Sequence, residues 1–176
     1  MDDLKDILSR FLERETLTLT ISGALGRNKT YRDNRVTEKQ RKEFRDSLRN
    51  QLRSKLKEYE KGQVREKDHV ANIEDLSSVL SKGYSEILAD GQFRIGTAQK
   101  ALNLYLKYCW ARGIIEEPPH CPIDSIVLKK IKSSVAWTQI RELEEYKRLI
   151  GKVREEAEAQ GKTLARWELD VWQAGL

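Results

Sequence analysis

A chain of 176 residues suits one domain, large enough to bury a real core. It is 39% hydrophobic and 35% charged, with a mean hydropathy of −0.68, and no apolar run approaches the roughly 18 residues of a membrane span. The start, Met1-Asp2-Asp3-Leu4-Lys5, lacks a signal-peptide apolar core, and two cysteines make no disulfide framework, so a reducing, cytoplasmic setting is expected.

Net charge is +5, but its distribution carries more information than its sum. Between Arg27 and Lys67 there are 15 Lys or Arg against 7 Asp or Glu, leaving the remainder of the chain net acidic. A basic block beside an acidic remainder suggests a polyanionic partner; the competing reading is a solvated helix with compensating charges.

The pattern predicts a mainly α protein, a compact bundle of six or seven helices with one short N-terminal extended segment. Residues 1–35 divide into a helix, that segment and a basic loop; residues 36–176 form the helical domain. Leu4, Ile7, Leu8, Phe11 and Leu12 have helical spacing, whereas Thr16-Leu17-Thr18-Leu19-Thr20-Ile21 alternates as a strand does. Thr37 and Gln40 match a capping box, opening a helix with Phe44, Leu48, Leu52, Leu56 and Tyr59 in a narrow apolar stripe. Arg41, Lys42, Arg45, Arg49 and Arg53 flank it as a broad cationic surface suited to phosphates.

Asn72 is placed to cap the next helix, and Asp90-Gly91 to turn the chain. The central helix, about residues 97–112, carries Ala98, Ala101, Leu102, Tyr105, Leu106 and Cys109 on a buried face. Lys100, Asn103 and Lys107 form a polar stripe opposite much of it, with Trp110 one turn on; this set suits a phosphate or an extruded base, or else a solvated face. Pro118-Pro119-His120-Cys121-Pro122-Ile123-Asp124 then holds all three prolines of the chain within five residues. It stiffens the entry of Asp124 into a short helix, where an N-cap and an aimed carboxylate are both reasonable roles. Thr163 caps the last helix. Trp137, Trp167 and Trp172 line the core or a cleft, and Glu168 is a candidate buried carboxylate. No metal site or cofactor motif is present: Cys109, His120 and Cys121 lack the paired spacing of a zinc module.

Ile95-Gly96, a helix bearing Lys100, and Pro122-Ile123-Asp124 opening another helix together resemble the helix-hairpin-helix DNA glycosylase superfamily over about residues 91–131. The resemblance implies that Lys100 is a Schiff-base nucleophile and that Asp124 deprotonates it or stabilises a cationic sugar. It implies removal of a damaged or modified base from double-stranded DNA, with or without lyase activity, and with His120 and Trp110 near the nucleic acid. A non-catalytic nucleic-acid-binding module and a helical protein-interaction subunit are the alternatives.

Overall fold

A computed structural model describes residues 2–175. Among them are seven α-helices and no strand: α1 (Asp2–Leu25), α2 (Glu38–Tyr59), α3 (Glu66–Tyr84), α4 (Ile95–Ala111), α5 (Ser125–Lys130), α6 (Leu143–Glu158) and α7 (Leu164–Gln173). Short 3-10 turns occupy Ala89–Gly91 and Trp137–Gln139.

The mainly α expectation holds, but the N-terminal extended segment does not exist. Residues 16–21 continue α1 without a break. Their alternation hides a helical pattern: Thr16, Leu17, Thr20, Ile21 and Ala24 are buried together, four residues and one residue apart, against α4. Gly23 lets the two helices meet, because a Cβ there would lie 2.7 Å from Leu104 Cδ2. Burial of one face outweighs the strand preference of the β-branched residues.

The Thr37–Gln40 capping box forms as expected, each side chain accepting from the other residue's backbone N–H. Helix α3 starts earlier than Asn72; its first residue is Glu66, and Asn72 lies inside the helix with its amide donating to Glu58. Asp90 and Gly91 both take positive φ and reverse the chain between α3 and α4. Gly113, with φ +70, ends α4 in a Schellman turn: its N–H reaches Trp110 O, and that of Ile114 reaches Cys109 O.

Helix α4 is the axis of the molecule. It touches α1, α2, α3, α6 and the 137–139 turn, and only Lys107, Tyr108, Trp110 and Ala111 escape full burial. The expected division into an apolar face and an opposite polar one is therefore corrected. Lys100 and Asn103 are buried along with Ala98 and Leu102, because neighbours cover both sides. At its N-terminus the fit is close enough to require glycine: a Cβ on Gly96 would lie 1.8 Å from the Trp137 carbonyl oxygen, and the Gly96 N–H donates to Ile140 O at 3.0 Å.

Candidate functional site

Buried polar groups need partners, and α4 finds its own in distant segments. Gln99, wholly enclosed, donates through Nε2 to Ile123 O at 2.7 Å and accepts from the Ile123 N–H at 3.1 Å. One amide thus clamps both backbone groups of the residue before Asp124, on a turn already stiffened by three prolines. Asp124 is the N-cap of α5: Oδ1 accepts from the N–H groups of Ile126 and Val127 at 3.0 and 3.1 Å. Its other oxygen accepts from Lys100 Nζ at 2.8 Å. Burial alone would raise the Asp124 carboxyl; the Lys100 charge and these hydrogen bonds overcome it and hold the group below its usual range.

This pair sits in the wall of a cleft of about 340 Å³ bounded by α1, α4 and the segments around Trp137 and Trp172. Arg27, Tyr108, Trp137 and Trp172 give it one cation and three aromatic rings. Arg27 is exposed and makes no ion pair among the described residues. Next to this cleft lies a second ion pair, Lys107 Nζ 2.8 Å from a Glu168 oxygen, with the ammonium 5.2 Å from the Trp172 ring centroid. Burial raises the Glu168 carboxyl, and Lys107 offsets this only in part.

The structure brings Lys100 and Asp124 together, but it does not gather the other expected contact residues around them. Asn103 and His120 are buried and present no surface. Asn103 donates to Tyr146 Oη at 3.1 Å and to Gln99. His120 lies between Tyr146 Oη, 2.7 Å from Nδ1, and Glu66, 3.0 Å from Nε2. Burial pushes its imidazole down to about 3, so it is neutral. Trp110 is half-buried against the core and does not line the cleft.

The cationic flank of α2 is largely neutralised. Lys42 and Arg49 share Asp46 at 2.6 and 2.8 Å, Arg45 pairs with Glu38, and Arg53 pairs with Glu13 of α1 at 2.8 Å. Arg41 instead lies 4.9 Å from the Tyr31 ring centroid and donates to Val36 O. Arg27, Lys29 and Arg32 of the loop after α1 are exposed without an ion pair among the described residues, as are Lys39, Lys57, Lys61 and Lys67 of the same basic block.

Sequence reasoning missed Gln99, Tyr146, His69 and Glu66. The one legible hint was Gln99 and Asn103, two amides four residues apart on the central helix. His69 stacks edge-on to His120 with ring centroids 4.7 Å apart and bonds Tyr59 Oη at 2.8 Å. Both cysteines are buried free thiols; burial pushes Cys109 up to about 11 and raises Cys121 as well, which disfavours either as a nucleophile. Among the described residues, no group of three metal-ligating side chains occurs and no helix is long and apolar enough to cross a membrane. Comparison of the chain with family models, curated proteins and solved structures gives no match.

Proposed function

We propose that the protein binds DNA and removes a base by breaking an N-glycosidic bond within the Lys100–Asp124 cleft. One observation carries this reading: a carboxylate and an ammonium, 2.8 Å apart, share the wall of a cleft lined by aromatic rings and an unpaired arginine. The cleft volume falls within the roughly 300–1,000 Å³ typical of small-molecule sites. An extruded base would stack on Trp172, which is exposed, while Arg27, Lys29 and Arg32 meet the phosphates.

Asp124 is suited to electrostatic work. Its carboxylate is ionised and tied down by three hydrogen bonds, so it stabilises a developing oxocarbenium ion without first reorganising. Held below its usual range, it is a poor acceptor for the Lys100 proton. That favours hydrolysis, in which water adds to C1′ and the base departs with a proton, over direct attack by Lys100. The lyase step needs Lys100 to lose its proton elsewhere.

The test is incubation with duplexes carrying candidate damaged or modified bases, followed by alkaline cleavage of abasic sites and, in parallel, by borohydride. Wild type should yield abasic sites on at least one duplex and Asp124→Asn should not. A Lys100-dependent borohydride adduct adds lyase chemistry. Absence of abasic sites on every duplex, or Asp124→Asn acting as well as wild type, overturns the proposal.

A second reading draws on the same geometry. The Asp124 oxygens are already occupied by α5 and Lys100, as a purely architectural cap would be. A non-catalytic nucleic-acid-binding module then predicts salt-dependent binding through Arg27, Lys29 and Arg32, with no base chemistry.

A further inference from the structure

The first three turns of α1 stand clear of the rest of the molecule. Every residue from Asp3 to Leu12 is exposed, and full burial begins only at Thr16. Leu4, Ile7, Leu8, Phe11 and Leu12 nevertheless fall on one arc of that helix, each between 48% and 62% exposed. Leu4, Leu8 and Leu12 of the arc line a groove of about 600 Å³ together with Arg112 and Ile114, past the end of α4. These turns extend a 24-residue helix that is packed only farther along, and a contiguous exposed apolar patch of several hundred Å² is often functional.

We propose that this arc is a homodimer interface in which two α1 helices pack antiparallel about a two-fold axis. The charges complement a second copy in the antiparallel sense. Asp3 and Arg14 lie eleven residues apart, three turns, and therefore on the same flank of the arc, one beyond each end of it. In a two-fold antiparallel pair like flanks meet. Centred between Leu8 and Ser9, the pairing sets Asp3 of each chain beside Arg14 of the other, at both ends. A parallel pair brings opposite flanks together and makes no Asp3–Arg14 contact.

The arc exposes roughly 500 Å² of apolar surface per chain, so pairing removes roughly 1,000 Å² from water, at the lower limit of specific interfaces. The expected dimer is reversible. An anionic lipid surface is the poorer occupant, because residues 2–12 carry three aspartates against Lys5 and Arg10.

Sedimentation velocity of the full chain from about 1 to 200 μM, the span over which a micromolar dimer forms, reads the outcome. The mass should climb with concentration from 20.5 kDa toward twice that value. Phe11→Glu should hold it at the monomer with unchanged helicity, since Phe11 is not part of the core. Arg14→Asp should raise Kd by about tenfold, and adding Asp3→Arg should restore it to within about threefold. A monomer at every concentration, a dimer indifferent to Phe11→Glu, or a charge swap that fails to rescue overturns the proposal. A monomer that floats with lipid vesicles also overturns it and assigns the arc to lipid.

Discussion

Replacing Asp124 by asparagine separates the two tasks of its carboxylate. Asparagine caps a helix about as well as aspartate, so the bonds to Ile126 and Val127 survive while the charge facing Lys100 is lost. Removing one partner from a fully buried pair costs about 3–5 kcal/mol. Here the side chains retain 10% and 15% exposure at the cleft wall, where water can reach the stranded ammonium, so we expect about 1–3 kcal/mol. Asp124→Ala should lose about 1 kcal/mol more, the value of the cap. Urea unfolding followed by helical circular dichroism at pH 7 measures both differences. The pH dependence gives a second handle. Because the folded carboxyl is held below its unfolded range, its contribution is present above the unfolded pKa and disappears as pH falls through the lower folded one. That acid-side loss should be absent from Asp124→Asn. If this variant matches wild type within about 0.5 kcal/mol at pH 7, the pair contributes nothing and the electrostatic argument for the cleft fails.

The buried histidines give a slope on the acid side. His120 drops from 6.5 to about 3, and His69 is also lowered, so below pH 6.5 the unfolded chain binds protons that the folded one refuses. Stability should fall by up to about 1.4 kcal/mol per pH unit for each histidine, and His120→Gln should remove about half of that slope in urea titrations at pH 7, 6 and 5. Gly96→Ala, which sets a Cβ 1.8 Å from the Trp137 oxygen, should destabilise by about 2–3 kcal/mol, whereas Gly151→Ala in α6, with nothing within 4 Å, should stabilise by about 0.5–1 kcal/mol. Thermal melts of the two variants should move in opposite directions. Lys107→Met should strand the buried Glu168 and cost at least about 2 kcal/mol at pH 8, recovering as pH falls and the raised carboxyl protonates; a loss independent of pH would contradict this.

Local signals were the ones the sequence carried. The Thr37–Gln40 box and the apolar series of α4 each depend on residues within four positions of one another, and each is where the pattern puts it. What the pattern could not carry is the other side of each contact. Lys100, Asn103 and Lys107 look like a solvated stripe until Asp124, Tyr146 and Glu168 arrive from 24, 43 and 61 residues away. Of the α2 cations, Arg53 looks free until Glu13 of α1 approaches it, whereas Lys42, Arg45 and Arg49 find Asp46 and Glu38 on their own helix. Residues 16–21 look like a strand because alternation of Thr with Leu or Ile satisfies both periods over so short a run. Lys100 and Asp124 were singled out and do meet; Gln99, which holds their geometry, read as an ordinary helix residue.

The enclosure of α4 has a consequence for how the molecule assembles. A helix touched by four other helices and a turn is not a late addition to a finished body; the rest must close around it. Its central amides, from Ala98 to Leu106, then have no opening available short of global unfolding. In native-state hydrogen exchange they should form the slowest set and share one opening free energy equal to that of the whole chain. The exposed turns of α1 should exchange at the opposite extreme, so a single experiment would span the full range of local stability in this fold.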